Sequence, residues 1–231
     1  MPLLQATVVR RTGRAVLALG LLLPGDARAH VSGRVVITEA RGRPASDLGN
    51  AVVYLEGRSL RSAAPGTAEM ATDGRAFRPR VLVVPAGTTV RFTNLDPFNH
   101  NVFSLSEPNA FDLGLYGRGE LRSRRFTRAG LVRVYCNIHS QMSAFVVVRD
   151  NPWYAQPGVD GSYTIEGVPP GRYVLRVWHE RAVAEVTREI VVAAEGLAGL
   201  VDTLDASGYR RMDHVNKYGR PYDGGAARER Y

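Results

Sequence analysis

The sequence is poor in cysteine: Cys136 is the only one among 231 residues. A single thiol excludes a disulfide within one chain, and it excludes any metal site that needs two bridging thiolates. The signatures of hydrolytic enzymes are missing as well. No nucleophile elbow, zinc-protease helix or pair of catalytic carboxylates stands out, so the sequence gives no support to catalysis.

No segment keeps a helical period of apolar residues. From His30 onward, short apolar or alternating runs are interrupted by Gly, Pro and Asp, which is typical of β-strands joined by turns. The segment 182–199 is rich in Ala, but its centre contains β-branched residues that favour a strand. These residues are Val186, Ile190, Val191 and Val192. The sequence therefore predicts an all-β fold.

A long hydrophobic run is also missing, and the apolar stretch Ala15–Leu23 is too short to span a bilayer. The stretch lies between a basic start and an Ala-x-Ala cleavage site, which together are typical of a secretory signal. The residues concerned are Arg10, Arg11, Arg14 and Ala27-Arg28-Ala29. We expect residues 1–29 to be a cleaved signal peptide, and His30 to begin a periplasmic mature chain without an integral membrane segment. The pair Arg10-Arg11 leaves twin-arginine export open beside the general secretory route.

Acidic residues are fewer than basic ones, which gives a formal charge of +8. Four Arg and one Asp belong to the predicted signal peptide, so the mature chain keeps +5. An exported chain without a nucleic-acid-binding motif is not expected to bind nucleic acid. A moderately basic surface could steer an acidic redox partner by long-range attraction, or could only keep the protein soluble.

Three side chains with metal-binding atoms fall within seven residues: Cys136, His139 and Met142. A thiolate, an imidazole and a thioether form a soft donor set that suits copper in two oxidation states. A trigonal His2Cys site with a weak axial Met is the blue-copper arrangement. A second imidazole is available upstream at His100, after a strand-like segment. Zinc is the main competing metal, but structural zinc sites favour closed Cys/His tetrads and rarely recruit Met.

A distant first His followed by a Cys-x2-His-x2-Met loop resembles the cupredoxins, and the loop spacing is similar to that of the amicyanin-type members. The resemblance covers residues 71–149. It implies a Greek-key β-sandwich that binds one mononuclear type 1 copper ion. The ligands that it implies are His100, Cys136, His139 and Met142.

The same resemblance assigns roles to residues beside the ligands. Asn101 follows the first His, where the family has an Asn that hydrogen-bonds near the copper thiolate. Electrons in the family leave mainly through the solvent edge of the second His, here His139, and Tyr135 beside the thiolate offers a second route. One departure concerns the rim that docks redox partners. Ile138 and Ser140 flank His139 where amicyanin-type loops carry prolines.

The flanking segments look like the two halves of a carboxypeptidase regulatory-like domain, a small transthyretin-like β-sandwich. Residues 31–37 and 50–57 resemble its opening strands, and residues 160–178 resemble its closing strands between two tight turns. We therefore predict a cupredoxin domain inserted into a second sandwich, with independent domains in series as the alternative. The predicted limits are 30–62 and 150–205 for the split sandwich, 66–149 for the cupredoxin domain, and 206–231 for an irregular tail.

The predicted function is one-electron transfer with a periplasmic redox protein, without an enzymatic activity. A copper-handling protein that has no dedicated redox partner is the alternative, and the sequence leaves it open. A multicopper oxidase is not supported because His-x-His and His-Cys-His motifs are absent. A copper-binding histidine brace at His30 would need a second His nearby, and nothing in the sequence places His179 or His214 there. His179 is expected on the surface at a strand end.

Overall fold

The computed structural model describes residues 29–43, 45–57, 62–211 and 213–222, so the predicted signal peptide before Ala29 lies outside the described residues. Within the described residues there are seventeen strands and two short 3-10 turns, Ala40–Gly42 and Leu48–Asn50. The all-β fold class is therefore confirmed. In this part of the chain, no helix has the length and apolar character that crossing a membrane requires.

Ten consecutive strands form what we call the inner unit. They are β3 (Thr67–Glu69), β4 (Ala71–Thr72), β5 (Phe77–Arg78), β6 (Val81–Pro85), β7 (Thr88–Thr93), β8 (His100–Ser104), β9 (Phe111–Tyr116), β10 (Leu121–Phe126), β11 (Gly130–Cys136) and β12 (Ser143–Arg149). A five-stranded sheet, β6-β12-β11-β8-β9, packs against a three-stranded sheet, β10-β7-β3. Their facing side chains form one apolar core, which includes Phe92 and Phe126.

The other strands come from both ends of the chain and form what we call the outer unit. They are β1 (Ala29–Thr38), β2 (Val52–Glu56), β13 (Tyr154–Ala155), β14 (Ser162–Val168), β15 (Gly171–Trp178), β16 (Val186–Val192) and β17 (Leu197–Asp205). Strand β1 pairs with β14 and β17, and β2 pairs with β13 and β15. For example, Val31 lies opposite Ile165, and Val53 lies opposite Val177. The two ends of the chain therefore build one sandwich, and the inner unit is an insertion between them.

Turn chemistry makes this long-range pairing possible. Gly161 has a φ of +82°, and a Cβ at this position would lie 2.3 Å from the carbonyl oxygen of Val35 on β1. The amide of Val35 donates to the Gly161 carbonyl at 2.8 Å. A side chain would push this turn away from β1, so glycine is required here.

The two units share an apolar junction. Buried Val52 and Tyr54 of β2 pack with Val81 and Val147 of the inner unit. Next to this cluster, the rings of Phe145 and Trp178 meet edge to face with centroids 5.1 Å apart; both residues are partly buried. The junction therefore fixes how the inner unit sits on the outer one.

A salt bridge adds to the junction and reaches the metal-ligand segment. The guanidinium of Arg80 donates to the carboxylate of Glu180 at 2.6 Å and to the carbonyl oxygen of Ser143 at 2.6 Å. Ser143 directly follows Met142. Arg80 thus links Glu180 to the start of β12, the strand that leaves the predicted copper loop.

Candidate metal centre

The two sheet strands β8 and β11 bring the first His and the Cys together. They are antiparallel neighbours, with Cys136 opposite Val102. His100 begins β8 and Cys136 ends β11. Because the two strands are antiparallel, both side chains lie at the same end of this strand pair. The alternation predicted for β11 is confirmed, because Val132, Val134 and Cys136 are buried whereas Leu131 and Arg133 are exposed.

The residues after Cys136 turn back and return His139 to the thiol. We call residues 136–142 the ligand loop. Its shape is set by main-chain hydrogen bonds: the amide of Met142 donates to the carbonyl of His139 at 3.0 Å, and the amide of Cys136 donates to the carbonyl of Met142 at 3.2 Å. The amide of Asn137 donates to the carbonyl of Asn101 at 3.0 Å, which ties the loop to β8.

Three potential ligand atoms converge in this arrangement. Cys136 Sγ lies 3.5 Å from Nδ1 of His100 and 3.5 Å from Nδ1 of His139. The three atoms all lie within 4.8 Å of one another. Met142 is buried in the same core as Cys136, at the end of the loop. The structure therefore brings His100, Cys136 and His139 together, whereas the ligand role of Met142 stays a prediction.

The two imidazoles differ in their exposure to solvent. His100 and Cys136 are fully buried, whereas His139 is partly exposed. The ring of Phe98 lies 5.3 Å from that of His100 and 5.5 Å from that of His139, so it covers both. A cavity of about 430 Å³ opens beside His139. It is lined by Arg75, Pro97, Phe98, Asn99, Leu115, Ile138 and His139.

A carboxylate that the sequence analysis missed holds the buried imidazole. Asp96 Oδ2 lies 2.8 Å from Nε2 of His100, on the side of the ring that faces away from Cys136. The Asp96 carboxylate also accepts hydrogen bonds from the main-chain amides of Gly74 at 2.8 Å and Arg75 at 3.2 Å. Burial raises the pKa of Asp96, but these hydrogen bonds outweigh burial and keep the pKa below its ordinary value. A carboxylate on the far nitrogen of a metal-binding His fixes the tautomer and the ring orientation.

Asn101 is buried next to His100, and its side-chain amide donates to Asp112 Oδ1 at 2.6 Å. Its predicted hydrogen bond near the thiolate stays a prediction. Tyr135 points to the opposite side of β11 from Cys136 and is partly buried. Its ring stacks on His214, with centroids 4.4 Å apart and planes at 24°.

Two of the other histidines lie on segments outside the sheet strands that carry His100 and Cys136. His30 is exposed on β1, close to Gly196. His214 Nε2 lies 3.2 Å from the carbonyl oxygen of His139. Within the described ranges, His100, Cys136 and His139 are the one group of three or more His, Cys, Asp or Glu side chains close enough to hold a metal ion.

The expected surface position of His179 is wrong. His179 is buried, with Nε2 3.5 Å from the Asp47 carboxylate, and it accepts a hydrogen bond from the amide of Arg181 at 3.2 Å. Arg181 bridges Glu39 and Asp47 and so draws both neighbouring segments over the imidazole. Burial lowers the pKa of His179, although Asp47 acts in the opposite direction. The sequence could not indicate this because Glu39 and Asp47 are far from His179 along the chain.

The donor set fits copper. One thiol sulfur and two imidazole nitrogens are ligands that favour copper over hard cations. Burial of His100 and Cys136 excludes water from the inner side of the candidate metal site. The hydrogen bond with Asp96 holds the imidazole of His100 in place. The site is thus organised by the protein fold.

The chain is similar to known proteins over only part of its length. No protein-family model matches the chain, and no curated protein sequence matches it. Among solved structures, a purple cupredoxin from Nitrosopumilus maritimus is similar at 26% identity, over 36% of this chain and 99% of that one, with a TM-score of 0.32. A Cu-containing nitrite reductase from Thermus scotoductus SA-01 is similar at 29% identity, over 41% of this chain and 24% of that one, with a TM-score of 0.34. A reduced amicyanin variant is 23% identical over 42% of this chain and 98% of that one, with a TM-score of 0.35. Each of these similarities is confined to less than half of this chain.

Proposed function

We propose that the protein is an exported blue copper protein that transfers single electrons. In this proposal one type 1 copper ion is bound by His100, Cys136 and His139, with Met142 as a weak fourth ligand. The convergence of the three donor atoms within 4.8 Å, in a pocket with one partly exposed imidazole, carries the proposal. When bound, copper supplies the one-electron chemistry, and a trigonal thiolate and imidazole set accepts both oxidation states.

The protein's own part is to hold the donors and to control access. The pairing of β8 with β11 holds His100 and Cys136 in place, and Asp96 orients the imidazole of His100. Because the three ligand atoms are already close together, little rearrangement is needed to bind copper. We propose the role of an electron carrier rather than that of an enzyme.

The exposed edge of His139 is the proposed site of electron exchange. The apolar side chains of Phe98, Leu115 and Ile138 surround the cavity beside it, although no proline flanks His139. Leu115 is 58% exposed and adds to the apolar surface beside His139. An apolar surface around a redox group allows a partner to approach closely after both surfaces lose water. The proposed partner is a periplasmic redox protein.

An absorption spectrum of the copper-loaded mature protein tests the proposal. We expect an intense thiolate-to-copper band in the visible region, which is lost in Cys136→Ser because an alcohol cannot supply that transition. Reversible reduction and reoxidation of the band by small-molecule redox reagents would support a carrier. A colourless protein, or a Cys136→Ser variant that keeps the band, would remove the basis for the assignment. A coloured protein that cannot be cycled would favour copper handling.

A further inference from the structure

The segment after the last strand lies directly on the ligand loop. We call residues 213–222 the C-terminal strap. It contains no strand, but its shape is set by a turn around Asn216, whose amide donates to the carbonyl of Arg220 at 2.8 Å. The Asn216 side chain accepts from the amides of Tyr218 at 3.0 Å and Arg220 at 3.1 Å. The strap therefore has a defined conformation without belonging to a sheet.

The strap makes hydrogen bonds along almost the whole ligand loop. The hydroxyl of Tyr222 donates to the carbonyl oxygen of Cys136 at 2.9 Å. The amide of Lys217 donates to the side-chain oxygen of Asn137 at 2.9 Å. His214 reaches the next part of the loop, where its amide donates to the carbonyl of Ser140 at 3.3 Å. Just before the strap, Arg211 donates to the carbonyl of Gln141 at 2.9 Å.

A second connection links the strap to β8, the strand that carries His100. Lys217 Nζ lies 2.7 Å from Asp112 Oδ2, and Asp112 Oδ1 accepts the hydrogen bond from Asn101. Burial raises the pKa of Asp112, but the hydrogen bonds from Lys217, Asn101 and Gly114 outweigh it and keep the pKa low. Because Asn101 directly follows His100, the strap is connected to both segments that carry the predicted ligands.

Aromatic packing holds the strap against the inner unit. The imidazole of His214 stacks on Tyr135, and the ring of Tyr222 meets His214 edge to face, with centroids 5.4 Å apart. Tyr135 precedes Cys136 in β11. The three rings form a continuous layer over the face of β11 opposite the predicted copper site.

We propose that His214, Lys217 and Tyr222 are positioning residues, which hold the ligand loop in its metal-ready shape before copper binds. The proposal rests on the proposed copper site for its purpose, but the clamp itself is a property of the metal-free chain. The main-chain oxygens of Cys136, His139 and Ser140 are held from outside the loop, so the loop backbone cannot open without breaking strap contacts. The C-terminal segment is thereby part of the metal centre, although it lies outside the inner unit.

Hydrogen exchange in the metal-free, full-length protein tests the clamp. The amides of Asn137 and Met142 report loop opening because each makes a hydrogen bond within the site. In the double variant H214A/Y222F we expect their exchange to be about tenfold faster, since each lost hydrogen bond weakens closure several-fold. Tyr218→Phe is the matched control, because Tyr218 lies on the strap but is 74% exposed. It should change exchange by less than about twofold.

Two results of this experiment would overturn the clamp. One is unchanged exchange at Asn137 and Met142 in the double variant. The other is equal acceleration at Val146 in β12 and at Leu175 in β15, because general destabilisation would mean that the strap only adds stability.

A second measurement on the copper-loaded protein separates positioning from simple stability. We expect Tyr222→Phe, which keeps the ring and removes the hydroxyl, to shift the thiolate-to-copper band and to speed copper loss to a chelator several-fold. An unchanged band and an unchanged rate would contradict a positioning role. If the wild-type protein shows no such band, the proposed function fails, whereas the exchange measurement still decides on the clamp.

Discussion

Asp96 and His100 form a buried pair at the candidate metal site, and the two ring nitrogens of His100 face different groups. Nδ1 of His100 faces the thiol of Cys136, and Nε2 faces the carboxylate. A neighbouring negative charge stabilises whichever state of the site is more positive, which for a copper site is the oxidised one. The pair is therefore expected to lower the reduction potential.

Asp96→Asn should raise the reduction potential of the copper-loaded protein by on the order of tens of millivolts, because one buried negative charge near the site is removed. Asp73→Asn is the control, since Asp73 lies in the neighbouring turn but is exposed and paired with Arg78. Solvent and salt screen an exposed carboxylate, so this change should leave the potential almost unaffected. Protein-film or redox-titration potentials of the three proteins decide the question, and equal shifts in both variants would contradict a specific role for Asp96.

Met142→Leu should retain copper and colour but raise the potential, on the order of tens of millivolts. A thioether donates weakly to the oxidised ion, and leucine cannot replace it as a ligand. Met70→Leu provides the matched control, because Met70 is fully buried in the same core. Exchange of Met for Leu in a core costs less than about 1.5 kcal/mol. A potential that moves equally in both variants would show that core packing, not ligation, is responsible.

Strand β12 lies between the core of the inner unit and the junction with the outer unit, so both of its faces are covered. Val146 and Val148 point into the core of the inner unit, whereas Phe145 and Val147 contact the junction with the outer unit. In a strand, successive side chains point to opposite faces, so a run of apolar residues is expected when both faces are buried. The run at 144–148 is thus explained by the insertion.

Val147→Ala should lower the free energy of unfolding by about 1–3 kcal/mol, because it removes buried methyl groups and leaves a cavity at the junction. Val201→Ala removes the same groups from β17 at a position that is 61% exposed, and it should change stability by less than about 0.5 kcal/mol. Chemical denaturation of both variants measures the difference. Similar losses for the two would mean that the junction at Val147 is not tightly packed.

The inner unit is attached to the outer unit by two chain connections, so its orientation is restrained more than by one flexible linker. The apolar junction and the pair formed by Arg80 and Glu180 restrain it further. The edge of His139 is therefore presented at a fixed angle to the outer unit. We expect this geometry to favour a partner that contacts both units over one that contacts the copper site alone.

Export is a prediction for the whole molecule. When the full gene product is expressed with an intact secretion system, intact-mass measurement should show cleavage after Ala29 and a mature chain that begins at His30. The basic start, the apolar stretch and the Ala-x-Ala site are the physical basis, since they match what signal peptidase and the translocation machinery recognise. Uncleaved protein recovered only from the cytoplasm would contradict export.

The sequence by itself determined the features that depend on local pattern. Alternation along β11 placed Cys136 inside, and the short spacing from Cys136 to Met142 allows one loop to carry three of the four predicted ligands. Turn residues and apolar runs likewise indicated the strands observed as β1, β2, β14 and β15, and the strand at the centre of the Ala-rich segment, observed as β16. Such signals are readable because side-chain direction and turn geometry are set by neighbouring residues.

Only the tertiary structure decided which distant groups meet these residues. Asp96 is a common turn residue in the sequence, and only the packing of the 73–75 turn and β8 gives its carboxylate three donors. His179 is buried because Arg181 gathers carboxylates from the start of the chain. The C-terminal strap has no periodic apolar pattern that would predict where it packs. Most of its contacts with the ligand loop are hydrogen bonds to main-chain oxygens, which every residue carries, so the sequence of the loop does not mark it as their acceptor. Contacts of this kind are fixed by the meeting of chain segments in space, so the sequence alone does not reveal them.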